Sequence, residues 1–157
     1  MVTLAVRQGV RLAVDVGTVR VGVAASDPAG VLASPVIVLR RDARGGRDVA
    51  QLAELVSTRE AMEVVVGLPR SLSGRAGRAE AAARQYAAVL AERIAPIPVR
   101  LVDERLTTVE ATRGLRSAGV RSRAARHVVD AAAAVVLLQH VLDAERTSGA
   151  VPGETVP

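Results

Sequence analysis

Apolar and polar residues follow two different patterns along this chain. Near the N-terminus, apolar runs at 12–15, 19–26 and 31–39 are separated only by short turns that contain Gly, Asp and Pro. Apolar runs of this length between turn residues are typical of strands, and strands joined by short turns pair in the antiparallel sense. The first pattern therefore predicts an antiparallel meander of three strands.

Strands and helices alternate in the rest of the chain. Short apolar runs at 63–67 and 99–102 are typical of buried parallel strands. Four segments with apolar residues at helical spacing, or with a capping-box start, predict helices at 49–56, 79–94, 107–119 and 122–146. The combined pattern predicts an α/β fold, in which a five-stranded mixed sheet is flanked by helices. Residues 1–10 are expected to be an extension, 11–146 a single domain and 147–157 a flexible tail.

Composition limits the kind of chemistry that is available. Half of the 157 residues are hydrophobic, which is sufficient for a sizeable core. There is no Cys and there are only two His, so a thiolate site and a cysteine nucleophile are excluded. Carboxylates are the metal ligands present in quantity, and they favour Mg²⁺ or Mn²⁺ over Zn²⁺.

The charge indicates a partner that is rich in phosphate. All 21 basic residues are Arg, and the net charge is +5. Tyr86 is the only aromatic residue, so contacts to nucleic acid should be made by Arg to phosphate rather than by base stacking. The longest apolar stretch, 128–142, is too short to span a bilayer. We therefore expect a cytoplasmic protein with no membrane partner.

Three carboxylates occupy positions at the ends of predicted elements. Asp15 ends the first strand, Asp103 or Glu104 follows the fifth, and Asp130 lies in an otherwise apolar part of the last helix. Carboxyl ends of parallel strands meet at one sheet edge, where ligand sites form. Converging carboxylates need cations between them, and two ions about 3.5–4 Å apart would create a site for phosphodiester hydrolysis.

Each of these carboxylates also has a purely structural interpretation. Asp15 could cap the turn that follows it, and Glu104 could belong to a solvated loop in which it pairs with Arg105. Asp130 could be a helix N-cap or a partner of Arg126.

Arginines are concentrated in the loop after the fourth predicted strand and again near 113–126. Both groups could hold phosphates, or they could simply be solvated surface. Arg20, which is close to Asp15 in the sequence, could contact a phosphate or form an ion pair. The candidates for nucleic-acid contacts are Arg20, Arg70, Arg75, Arg78, Arg105 and Arg126.

The turn after Asp15 also allows an ATPase interpretation. Asp-x-Gly-Thr followed by Arg occurs in the phosphate-binding turn of actin-like and sugar-kinase ATPases. Those proteins clamp ATP between two such domains and need more than twice this length, which disfavours that class.

Four blocks in order resemble the YqgF/RuvX family, whose members are described as pre-16S rRNA nucleases and Holliday junction resolvases. The blocks are DVGTVRVGVAASD at 15–27, VGLP at 66–69, VDERLTT at 102–108 and VDAAAAVVLLQ at 129–139. The resemblance implies an RNase H-like fold and a divalent-metal nuclease that trims the 5′ end of the small-subunit rRNA precursor. Its acidic positions fall on Asp15, Glu104 and Asp130.

Two departures from the family pattern bear on activity. Ser71 stands where the family commonly has Asn, and Ala133 and Ala134 stand where related resolvases have a fourth acid. Two alternatives therefore remain beside the rRNA nuclease: a Holliday junction resolvase, and a non-catalytic module that binds structured nucleic acid. We expect pre-rRNA, or branched DNA, as partner, and a monomer or weak homodimer.

Overall fold

The computed structural model describes residues 6–70, 77–104 and 123–157, with only the helical backbone described for 123–130. The described elements, in chain order, are β1 (Val10–Val16), β2 (Arg20–Ser26), β3 (Ala33–Arg40), α1 (Arg47–Thr58), β4 (Ala61–Leu68), α2 (Arg78–Ile94), β5 (Val99–Asp103), α3 (Arg123–Ser148) and β6 (Glu154–Thr155). The helix predicted over 107–119 lies outside the described residues.

The strands form one mixed sheet in the order β3-β2-β1-β4-β5-β6. β1, β2 and β3 pair in the antiparallel sense, and β4 and β5 extend the sheet in parallel from β1. Pro35 lies on the edge strand β3 beside a register irregularity, where its missing N–H costs no internal ladder bond. The predicted α/β fold with a mixed sheet is confirmed.

The sheet has six strands rather than the predicted five. β6 pairs with β5 through Arg100–Thr155 and Leu101–Glu154, and the backbone N–H of Val156 donates to the Val99 carbonyl at 2.8 Å. This strand lies in the 147–157 segment that was predicted to be a tail. The sequence pattern did not predict this strand, because its two polar residues show no alternation of apolar positions. The strand forms because its backbone pairs with β5.

Helices cover both faces of the sheet. The larger core lies beneath α1 and α2, where Leu12, Val14 and Val66 of the sheet meet Leu52 and Leu90 of the helices. α3 packs on the other face against smaller strand residues, and that cluster is formed by Ala13, Ala24, Ala33, Val65, Val102, Ala133, Ala134, Leu137, Leu138, Val141 and Leu142. Alternate residues of each strand thus face opposite helical layers, as the pleat requires.

One edge of the sheet collects several element ends. β1, β4 and β5 are mutually parallel and end there, β2 begins there and β3 ends there. α1 and α2 precede the next parallel strands, so they also begin at this edge. We call it the carboxyl edge, and the other one the opposite edge.

A network of buried charges closes the opposite edge. Arg7 is 2.7 Å from Glu63 and 2.6 Å from Glu145, and the fully buried Arg11 is 3.2 Å from Glu145. Arg100 is 3.1 Å from the second oxygen of Glu63. These pairs connect the segment before β1 with β1, β4, β5 and α3.

Candidate functional site

Asp15 lies at the carboxyl edge and faces α3. Ala13, two residues earlier in β1, belongs to the cluster beneath that helix, so the pleat places Asp15 on the same face. Only 3% of its surface is exposed. Its antiparallel partner on β2 is Gly22, which leaves room above the strand, and Arg20 lies two residues before Gly22 on that same face.

Glu104, rather than Asp103, shares this face. Leu101 packs toward α1 and α2 and Val102 toward α3, so the alternation turns Asp103, the last residue of β5, away from α3. Glu104 is 2% exposed, whereas Asp103 is half-buried. The choice between two adjacent acids, which the sequence left open, is thereby decided.

Gly67 shows where the Glu104 carboxyl group lies. A Cβ placed on Gly67 would be 3.1 Å from both Cγ and Cδ of Glu104, which means that the Glu104 side chain occupies the space above β4. Val14 of β1 pairs with Val66, so Asp15 is level with Gly67. Because neighbouring strands are about 4.8 Å apart, Asp15 lies one strand spacing from the part of β4 that the Glu104 side chain covers.

Asp130 lies on α3, but its side chain is outside the described residues. α3 runs antiparallel to β1, because Glu145 near its C-terminal end contacts Arg11 at the start of β1. The helix advances about 22 Å from Glu145 back to position 130, whereas β1 advances about 13 Å from Arg11 to Asp15. Position 130 therefore reaches the level of the carboxyl edge, one turn before the buried Ala133 and Ala134.

The available donors suit a hard divalent cation. Asp15 and Glu104 provide oxygen ligands on one face, and placing two nearly buried carboxylates there is costly unless positive charge is near. Among the side chains that the structure describes, no three His, Asp or Glu groups converge on a metal position. The side chain of Asp130, the third predicted ligand, is not among them.

Arg41 fixes the turn that follows Asp15. Its guanidinium donates from Nη1 to the Gly17 carbonyl at 3.0 Å, and its backbone N–H donates to the Val19 carbonyl at 2.8 Å. The Gly17 N–H in turn donates to the Arg20 carbonyl at 2.8 Å. A Cβ on Gly17 would meet that carbonyl oxygen at 2.7 Å, so only glycine fits this tight turn.

The sequence interpretation missed Arg41 and the two residues that hold it. The Arg41 guanidinium lies 5.2 Å from the Tyr86 ring centre, and its Nε is 4.0 Å from the buried Asp48 carboxylate. Burial, together with the charge of Asp48, raises the pKa of the Tyr86 hydroxyl far above its ordinary value. The only signal in the sequence was a lone aromatic residue on the buried face of an Ala-rich helix.

The predicted nucleic-acid contacts have diverse environments. Arg20 shares the face of Asp15, and Arg78 is exposed at the first residue of α2. Arg70 is half-buried, with its Nε 3.7 Å from Glu80, so part of its charge is balanced within the fold. Arg75 and Arg105 lie outside the described residues, and so does the side chain of Arg126.

Comparison with known proteins identifies the family. The family described as "RuvX: Holliday junction resolvase" matches residues 9–144. The chain belongs to the RuvX family. A protein of Frankia casuarinae named "Putative pre-16S rRNA nuclease" is 65% identical over 144 residues, which cover 92% of this chain and 71% of that protein. A relative of the same name from Streptomyces coelicolor is 54% identical and covers 96% of this chain and 89% of its own length.

Solved structures confirm the fold of this RuvX family member. Thermus thermophilus RuvC, in complex with a Holliday junction substrate, superimposes with a TM-score of 0.56 over 92% of this chain and 99% of its own, at 18% identity. Identity at that level shows the RNase H-like fold alone. The predictions of a RuvX family member with this fold, and of a nuclease, are confirmed. None of the described helices is long and apolar enough to cross a membrane.

Proposed function

We propose that this RuvX protein is a cytoplasmic endonuclease that depends on Mg²⁺ or Mn²⁺ and processes the 5′ end of pre-16S rRNA during ribosome biogenesis. Asp15, Glu104 and Asp130 would be its metal ligands. The observation that carries the proposal is that two nearly buried carboxylates, Asp15 on β1 and Glu104 just after β5, lie on one face on either side of Gly67. The names of the relatives from Frankia casuarinae and Streptomyces coelicolor support rRNA as the substrate.

The residues of the site each have a role in this proposal. Bound divalent metal would supply an activated water and charge stabilisation at the leaving oxygen. Asp15 and Glu104 would hold it from a rigid sheet, and α3 would deliver Asp130. The positioning of phosphates is assigned to Arg20, Arg70, Arg75, Arg78, Arg105 and Arg126, of which the structure describes the side chains of Arg20, Arg70 and Arg78.

A direct comparison of substrates tests the proposal. The purified protein is incubated with Mg²⁺ or Mn²⁺ and either an RNA fragment that carries the immature 5′ end of 16S rRNA or a four-way DNA junction. We expect cleavage of the RNA at the mature 5′ end, an intact junction, and no cleavage in EDTA. Symmetric cleavage of the junction with intact RNA would instead indicate a resolvase. Binding of both substrates without cleavage of either would indicate a non-catalytic module.

Gly67→Ala is expected to reduce cleavage more than it reduces stability. The new methyl group would meet Cγ and Cδ of Glu104 and displace the carboxylate from its place above β4. A displacement of about 1 Å at a reacting centre can cost a factor of about 100 in rate. Cleavage rates and urea unfolding curves of the variant and wild type would be measured together.

Gly77→Ala is the matched control for this prediction. A Cβ at Gly77 has no atom within 4 Å, so this variant should retain the wild-type rate. Wild-type cleavage by Gly67→Ala would show that the position of Glu104 is unimportant for the reaction.

A further inference from the structure

A groove lined with arginines lies where β3 meets α1. It has a volume of about 810 Å³ and is lined by Ile37, Val38, Leu39, Arg40, Arg41, Asp42, Arg47, Ala50 and Gln51. Arg44 is exposed in the loop between these two elements. The stretch 40–47, from the last residue of β3 to the first residue of α1, carries four arginines and one aspartate. Asp48 follows it in α1. None of these arginines was among the predicted nucleic-acid contacts.

Most of the positive charge in this groove points to solvent. Arg40 and Arg44 are exposed, and the Arg47 side chain is 90% exposed. Asp42, the acidic residue of the loop, accepts hydrogen bonds from the backbone N–H groups of Gly45 at 2.9 Å and Arg47 at 3.2 Å. Those bonds lower the pKa of Asp42 and commit its carboxylate to shaping the loop. Its Oδ2 is still 3.9 Å from Arg47 Nε, a weak surface contact.

Arg41 differs from its neighbours because it points inward. Its guanidinium contacts Gly17, Asp48 and Tyr86 within the fold. The groove is therefore connected, through a single side chain, to the turn that follows Asp15. The other three arginines remain available for a ligand on the outside.

The groove lies beside the edge strand β3, and Arg40 links it to the face that holds the carboxylates. Its other wall, α1, covers the opposite face of the sheet. Arg40 is the register partner of Arg20, and Arg20 shares the face of Asp15. β3 is separated from β1 only by β2, so Arg40 lies two strand spacings, about 10 Å, from β1 across the sheet. That distance corresponds to a few nucleotides of a bound strand.

We propose that this groove binds the sugar-phosphate backbone of the nucleic-acid substrate a few nucleotides away from the bond that is cleaved. Arg40, Arg44 and Arg47 contact phosphates, and Arg41 aligns the groove with the catalytic turn. The groove has no aromatic lining residue, so it holds the strand without reading its bases. This inference rests on the proposed nuclease function and adds a substrate path that does not depend on the loop after β4.

Two double variants with equal loss of charge test the proposal. Arg44→Ala/Arg47→Ala removes two exposed charges at the groove, and Arg59→Ala/Arg93→Ala removes two exposed charges near the opposite edge. Binding to the immature 5′ RNA fragment and to a four-way DNA junction is measured in EDTA over a range of salt concentrations. The intact fold of both variants is checked by thermal unfolding.

The groove variant is expected to bind about tenfold more weakly, and its salt slope for single-stranded RNA should fall by about 1.4, because each lost phosphate contact removes about 0.7. The opposite-edge variant should bind as wild type. With Mg²⁺ present, the groove variant should show a raised KM and an unchanged kcat. The substrate that loses affinity, RNA or junction, identifies the one that occupies the groove.

Unchanged binding of both substrates by the groove variant would overturn the inference. Equal losses in the two double variants would also overturn it, because only the net charge would then matter. Absence of cleavage by the wild type would count against the proposed nuclease function, while selective loss of binding in the groove variant would still support the groove.

Discussion

Asp15→Asn and Glu104→Gln are each expected to reduce cleavage by about a hundredfold or more, whereas Asp103→Asn should cleave at close to the wild-type rate. Loss of a ligand to a catalytic metal removes several kcal/mol of transition-state stabilisation, and each 1.36 kcal/mol is about a factor of ten in rate. Asp103 is the adjacent acid on the other face of β5, so it controls for local charge and for the effect of mutating this strand end.

A binding measurement separates this role from a structural one. Added Mg²⁺ should raise the midpoint of thermal unfolding of the wild type and of Asp103→Asn, because a ligand that binds only the folded state stabilises it. Asp15→Asn and Glu104→Gln should lose most of that increase. Full activity of Asp15→Asn would refute the carboxylate site.

Glu145→Gln is expected to destabilise the fold by about 3 kcal/mol, because it breaks a buried ion pair and leaves a cation uncompensated. Arg11 has no exposed surface, and the Glu145 carboxylate is its acidic partner among the described residues. Arg7 would lose the same partner but is partly exposed, so its contribution should be smaller. Urea unfolding followed by circular dichroism measures the difference.

Glu154→Gln provides the surface control for that experiment. Glu154 is 3.0 Å from Arg84, and their side chains are 58% and 41% exposed. Such pairs contribute about 0–1 kcal/mol, so this variant should unfold close to wild type. If Glu145→Gln also lost less than about 1 kcal/mol, the buried network would not be a source of stability.

Acidification should reveal the same network. Burial raises the pKa of Glu145, but the hydrogen bond from Arg7 and the charges of Arg7 and Arg11 outweigh it, and the net pKa lies below the ordinary 4.5. A group whose pKa is lower in the folded state stabilises the fold above its unfolded pKa and loses that contribution as the pH falls through the folded pKa. The gap in stability between wild type and Glu145→Gln should therefore be constant at neutral pH and shrink in acid.

Local patterns were sufficient for most of the elements. The apolar runs of the meander and of β4 and β5 are long enough to predict strands. The apolar residues of the Ala-rich segment recur at helical spacing and predict α2. Asp15 was recognisable as a candidate because it ends an apolar run just before Gly17, where a strand must turn. The order of these elements along the chain was then enough to bring the ends of β1, β4 and β5 to one edge.

The sequence by itself thus determined the α/β fold, the carboxyl edge and the acids that lie near it. Only the tertiary structure decided that Glu104 and not Asp103 faces Asp15, because the facing depends on how β5 sits between two helical layers. The same holds for the contact of Arg41 with Gly17, the network of Arg7 with Glu63 and Glu145, and strand β6. All of these join segments that are distant along the chain, and no local periodicity encodes which distant partner a side chain or a strand edge will meet.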